Sequence, residues 1–122
     1  MRVRAARGAI VVADDTVGSV LDATARLLGD VLKRNDVARE DLISILFTVT
    51  DDLRSTFPAE AARRIGLGAV PLMCACEIPV EGSMPSVVRV LAHFHSDRTL
   101  AEVEHVYLDG AEALRDDLDA TI

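Results

Sequence analysis

Residues 86–95 read Ser86-Val87-Val88-Arg89-Val90-Leu91-Ala92-His93-Phe94-His95. The run is rich in Val and other apolar residues, and no Gly or Pro interrupts it. It therefore predicts a long β-strand. Side chains alternate across a strand, which puts Arg89 on one face with Val87 and Leu91. Val88, Val90, Ala92 and Phe94 form the other face, so Arg89 is a cation in a strand apolar on both sides. An unpaired buried charge costs several kcal/mol. Its guanidinium therefore needs an anionic or hydrogen-bonding partner, either a protein carboxylate such as Glu77 or a ligand.

The segments around this strand supply the rest of a sheet. Residues 2–12 alternate and then turn apolar, predicting an opening strand. Asp14-Asp15-Thr16 is a helix-start signal with Thr16 as N-cap. Val17, Val20, Leu21, Thr24, Leu28, Val31 and Leu32 then recur at helical spacing up to Arg34, and Asn35 ends the run. Leu42 to Thr50 predicts a buried strand. Pro58 opens a short helix through Ile65, with Gly66 and Gly68 behind it. Strands are predicted over 69–78, 86–95 and 104–108, with a loop over 79–85 and a turn or short helix from Gly110 to Leu114. The fold class is α/β (α+β): a mixed sheet of about five strands with one long helix. One helix leaves a sheet face short of cover, and an oligomer would supply the missing layer.

The chain has 122 residues, half of them hydrophobic, enough for a single domain over 1–122. With Phe 3, Tyr 1 and Trp 0, the core is expected to be aliphatic. The net charge of -7 disfavours nucleic-acid binding. An anionic small molecule would need a locally basic pocket. No apolar stretch approaches the roughly 20 residues of a membrane span. The run 9–13 is too short for a signal peptide and meets Asp14-Asp15. A reduced, cytoplasmic setting is expected.

Other polar residues sit where the pattern predicts apolar surroundings. Arg7 shares a face with Ala5, Ala9 and Val11, and Gly8 follows it; small neighbours leave space for a ligand, or Arg7 ends in solvent. Glu77 follows an apolar strand and is a carboxylate within reach of an Arg. Tyr107 is the single tyrosine, set in the short apolar run 105–108. Cys74, Cys76, His93 and His95 could hold zinc only if their two strands lay side by side, and they lack the looped spacing of structural zinc sites. No metal site is expected. Nothing marks an activating base for Cys74 as a nucleophile.

Taken together, Val3-Arg4-Ala5-Ala6-Arg7-Gly8-Ala9 resembles the opening strand of AroH-class chorismate mutases. Thr48-Val49-Thr50-Asp51-Asp52-Leu53, then Phe57-Pro58-Ala59 with Ala62-Arg63, is similar to that family's next landmark. Val70-Pro71-Leu72-Met73-Cys74-Ala75-Cys76-Glu77, Arg89-Val90, His105-Val106-Tyr107-Leu108, and Ala111 with Leu114-Arg115 continue the likeness in order over nearly the whole chain.

The resemblance implies a trimeric pseudo-α/β barrel with active sites at subunit interfaces. It implies rearrangement of chorismate to prephenate in aromatic amino acid biosynthesis, with no cofactor. Catalysis would fall to Arg89, Glu77, Arg7 and Tyr107, and substrate would also touch Phe57, Ala59, Arg63, Met73, Cys74 and Leu114. The rearrangement is pericyclic and needs no proton transfer, nucleophile or metal. A protein must instead hold a flexible side chain over a ring and stabilise charge as an ether bond breaks. The chain departs from the family at Glu60, where a Lys is common, at Met73, where a Thr is common, and at Asp116, where a Pro is usual. Glu60 is expected to turn outward or to raise KM. A non-catalytic trimeric module binding a small carboxylate is the alternative reading.

Overall fold

A computed structural model describes residues 1–115. Strand β1 (Arg2–Val11) leads to helix α1 (Val17–Arg34), strand β2 (Leu42–Val49), helix α2 (Ala59–Arg64) and strand β3 (Leu72–Cys76). Strands β4 (Val87–Ser96) and β5 (Val106–Leu108) complete one sheet in the order β3-β2-β4-β1-β5. β4 runs antiparallel to both β1 and β2, while β5 joins β1 and β3 joins β2 in parallel. Short 3-10 turns at Arg39–Asp41 and Leu100–Glu102 were not predicted, and a third, Ala111–Arg115, falls where a turn was expected. Among the described residues no helix is long and apolar enough to cross a membrane.

Helix α1 has the predicted bounds, and its ends show why. The Thr16 hydroxyl accepts the Ser19 N–H at 3.1 Å. At the other end Asn35 is buried. Its side chain donates to the carbonyls of Val31 and Glu104 and accepts the Glu104 N–H at 2.8 Å, tying the helix stop to the approach of β5. That tie also shortens β5 against expectation, because Glu104 gives its N–H to Asn35 and not to the sheet. β3 is shorter than predicted as well. The Val70 N–H turns back to Leu67, and Pro71 has no N–H to offer. β4 starts one residue late because Ser86 takes a positive φ of 58°, held there by Asp52, whose carboxylate accepts both its N–H and its hydroxyl at 2.9 Å.

One sheet face packs under α1. Ala6, Ile10, Ile45, Phe47, Val88, Val90, Ala92, Phe94 and Val106 meet Val20, Leu27, Leu28 and Val31 in the main core. The core is mostly aliphatic, as expected, but Phe47 and Phe94 are its largest fully buried side chains. Leu27, outside the predicted helix stripe, is fully buried, whereas Val17 is exposed. Gly8 lies on this helix side, where a Cβ would come within 3.0 Å of both Leu27 Cδ1 and Val31 Cγ2. The glycine therefore lets the helix approach the sheet and does not make room for a ligand.

The opposite face carries Ala5, Arg7, Ala9, Leu46, Thr48, Arg89, Leu91, His93 and Tyr107 by alternation and register. Among the described residues only one end of it is covered. There Ala9, Val87 and Ala111 are buried, with Val11, Met84, Tyr107 and Leu114 packed on them. The described residues leave the rest open: Leu46 remains 38% exposed and Met73 on the neighbouring edge strand 68%.

Candidate active site

Strand β4 lies between β1 and β2, so the backbone of Arg89 is fixed on both sides, opposite Ala9 and opposite Thr48. Its Nε sits 3.0 Å from Glu77 Oε2, with the arginine side chain 43% and the glutamate 21% exposed. The N–H does not align into a hydrogen bond, so the contact is an ion pair and not a fork. The Thr48 hydroxyl donates to the same Oε2 at 2.8 Å. Glu77 reaches this point because its N–H continues the β2 ladder to the Val49 carbonyl at 2.9 Å. The partner predicted for Arg89 is therefore present, and space remains beside it.

That space has two parts. A cleft of about 230 Å³ on the open sheet face is bounded by Arg7, Leu46, Thr48, Arg89, Leu91 and Tyr107. A second cleft of about 410 Å³ runs from Glu77 and Arg89 beneath the loop from Ile78 to Pro85 and reaches Asp51 and Asp52. Arg89 lines both. Arg7 is exposed, and its backbone N–H donates to His105 Nδ1 at 2.9 Å. Burial, and then the positive charge of Arg7, hold the His105 imidazole below its ordinary value. Tyr107 sits beside Ala9 in the parallel pair, on the Arg7 side of the sheet. Leu114 packs at the covered end next to Tyr107.

The remaining predicted residues gather elsewhere. Phe57, Ala59, Arg63, Leu72, Met73 and Cys74 surround a separate hollow at the sheet edge, where Phe57 is 72% exposed. The loop bearing Phe57 is pinned by Asp15, whose carboxylate accepts the N–H groups of Arg54 and Ser55 at 3.0 Å and lies below its ordinary pKa for that reason. Cys74 follows Phe47 in register and so faces away from Arg89; within one chain it is not a neighbour of Glu77's carboxylate. Glu60, expected to turn outward or to raise KM, does not line that edge hollow. It pairs with Arg63 at 2.9 Å, both side chains about half exposed, and offsets that arginine's charge. Asp116 lies outside the described residues.

Strand order bears on two points of the sequence reading. β2 separates β3 from β4, and the side chains of Cys74 and Cys76 lie on the opposite face from His93 and His95, so those four cannot converge on one ion. Thr48 was quoted as part of a motif but not as a site residue. Its sole signal in sequence is its alternation with Leu46, and that acquires meaning only when β2 is known to flank β4.

A two-layer α+β domain with two arginines, a glutamate and a tyrosine around an uncovered sheet face is an enzyme-like scaffold for a small polyanionic ligand. Comparison with known proteins makes the class definite. The chorismate mutase type I family model matches residues 3–118. A chorismate mutase AroH of Thermus thermophilus is 50% identical over 119 residues, covering 97% of this chain and 98% of the relative. The Bacillus subtilis chorismate mutase AroH is 35% identical over 122 residues, covering 99% and 96%. A solved chorismate mutase from Clostridium thermocellum superposes with a TM-score of 0.89 at 42% identity, covering 90% of this chain and 98% of that one. This chain belongs to the chorismate mutase type I family.

Proposed function

We propose that this chorismate mutase converts chorismate to prephenate in sites shared between copies of the chain, assembled as a homotrimer. One observation carries the reading. The Arg7, Glu77, Arg89 and Tyr107 group and the Phe57, Arg63, Met73 and Cys74 group line separate hollows of one chain, with no residue in common. Each is half a site. A neighbouring copy laid on the uncovered sheet face would cover Leu46 and Met73 and bring one copy's edge hollow to the next copy's arginines. The family match over residues 3–118 supports one domain spanning 1–122. The free thiols of Cys74 and Cys76 suit a reducing cytoplasm.

In this site Arg7 and Tyr107 bind a carboxylate, and Arg89 meets the ether oxygen on which negative charge grows as the C–O bond breaks. Glu77 accepts the ring hydroxyl. Phe57, Ala59, Met73, Cys74 and Leu114 wall the substrate so that the enolpyruvyl arm stays folded over the ring, while Arg63 adds positive field at the mouth. Electrons and atoms rearrange within one molecule, so no covalent enzyme intermediate forms.

Subunit mixing tests the shared site. Chains carrying Arg89→Ala and chains carrying Arg63→Ala are each impaired, but after exchange about a quarter of interfaces combine two intact halves. Chorismate turnover, followed by loss of its diene absorbance, should rise well above the mean of the two parents. Turnover equal to that mean, with exchange verified by native mass spectrometry, would place each site within one chain and refute the proposal.

A further inference from the structure

Glu77 and Arg89 are an acid and a base whose most favourable mutual geometry is a two-point fork, both carboxylate oxygens against two guanidinium nitrogens. Such a fork would close the site, since the same guanidinium edge must meet substrate. The structure has something else. Arg89 Nε lies 3.0 Å from Glu77 Oε2 without an aligned hydrogen bond, and Oε2 also accepts the Thr48 hydroxyl at 2.8 Å. Among the described residues, Glu77 Oε1 and the two terminal nitrogens of Arg89 make no hydrogen bond. The cleft with Arg7 and Tyr107 opens beside them.

We propose that Thr48 is a positioning residue for the rearrangement: by holding Glu77 through Oε2 alone, it prevents a closed fork with Arg89 and keeps Oε1 and the guanidinium edge available to substrate. This rests on the assignment of Glu77 and Arg89 to the substrate site. Thr48 can do this because register sets it directly opposite Arg89, on the same sheet face, while the Glu77 N–H is fixed to the next residue of β2. Both residues are anchored through their backbones, so only the two methylenes of Glu77 lie between its fixed end and the carboxylate that the hydroxyl holds. Without the hydroxyl the carboxylate rotates onto the guanidinium, and substrate must first break that fork. The penalty then falls on binding, because the fork is already broken in the enzyme–substrate complex and stays broken in the transition state.

The test is steady-state kinetics with chorismate on the full chain. Thr48→Val keeps the shape and removes the donor. It should raise KM about tenfold, the size of one hydrogen bond to a charged group, and change kcat by less than about threefold. Thr48→Ser should restore the wild-type KM. In a Glu77→Gln background no charged fork can form, so adding Thr48→Val should leave KM within about twofold. An unchanged KM in Thr48→Val overturns the inference. So does an equal tenfold penalty in the Glu77→Gln background, which would mark a merely structural role. If Glu77→Gln and Arg89→Lys themselves retain full activity, the site assignment fails, which is a different result from failure of Thr48 alone.

Discussion

Replacing Arg89 by lysine keeps the charge and changes only its shape, which makes it the sharpest probe of the site. The strand holds residue 89 between two ladders, so the backbone should not move. A lysine puts a methylene where the arginine Nε sits, 3.0 Å from Glu77 Oε2, and its ammonium one bond further on, at the place of the guanidinium carbon and still within reach of that oxygen, which Thr48 holds. The single cationic head pairs there, and no second planar donor extends toward the ether oxygen. Loss of one donor aimed at developing charge costs roughly 2.7–4 kcal/mol, a hundredfold to a thousandfold in kcat. Stability should barely change. The arginine side chain is 43% exposed, and a pair so screened contributes about 1 kcal/mol at most. The assay is kcat at saturating chorismate, with a urea melt on the same sample. A lysine variant with kcat within about tenfold of wild type would refute the role given to the guanidinium.

Three further outcomes follow from particular contacts. Gly8→Ala drives a methyl to 3.0 Å from Leu27 and Val31 and 3.1 Å from Val90, all in the core. Overpacking of about 1–3 kcal/mol outweighs the stiffer unfolded chain, so the urea midpoint should fall; an unchanged midpoint contradicts the packing account. Glu60→Gln releases Arg63 from its 2.9 Å pair and should lower KM for the dianion by roughly twofold to fivefold, the range of an exposed ion pair; a higher KM would show that Glu60 serves the site. His105 has its folded pKa depressed by burial and by Arg7. Its contribution to stability is therefore complete above the ordinary histidine value of about 6.5 and is lost as pH falls through the folded value. His105→Asn keeps an acceptor for the Arg7 N–H and should flatten the fall of the unfolding free energy as pH drops below the ordinary histidine value of about 6.5, relative to wild type; equal slopes in the two proteins would remove His105 from that dependence.

Much of this molecule is legible locally. Helix α1 and its Thr16 cap are set by interactions reaching four residues or fewer, and its Asn35 stop combines such a local bond to Val31 with a distant one to Glu104. The alternation of residues 86–95 places Arg89 on the face that the structure leaves open, and the shortage of cover on that face follows from counting one long helix against five strands. Boundaries were less legible wherever a distant residue takes a backbone group away, as Asn35 does from Glu104 and Asp52 from Ser86.

The sequence by itself determined the elements, their faces and the few charged side chains that break an apolar pattern, because period and propensity act over neighbours along the chain. Strand order belongs to tertiary structure, since any strand can pair with several others and long-range packing selects among them. That choice set β2 between β3 and β4, which kept the cysteine pair from the histidine pair and laid Thr48 opposite Arg89. It also turned Gly8 toward the helix. The meeting of Glu77, Thr48 and Arg89 joins three segments that are remote along the chain, and no local rule brings them to within 3.0 Å.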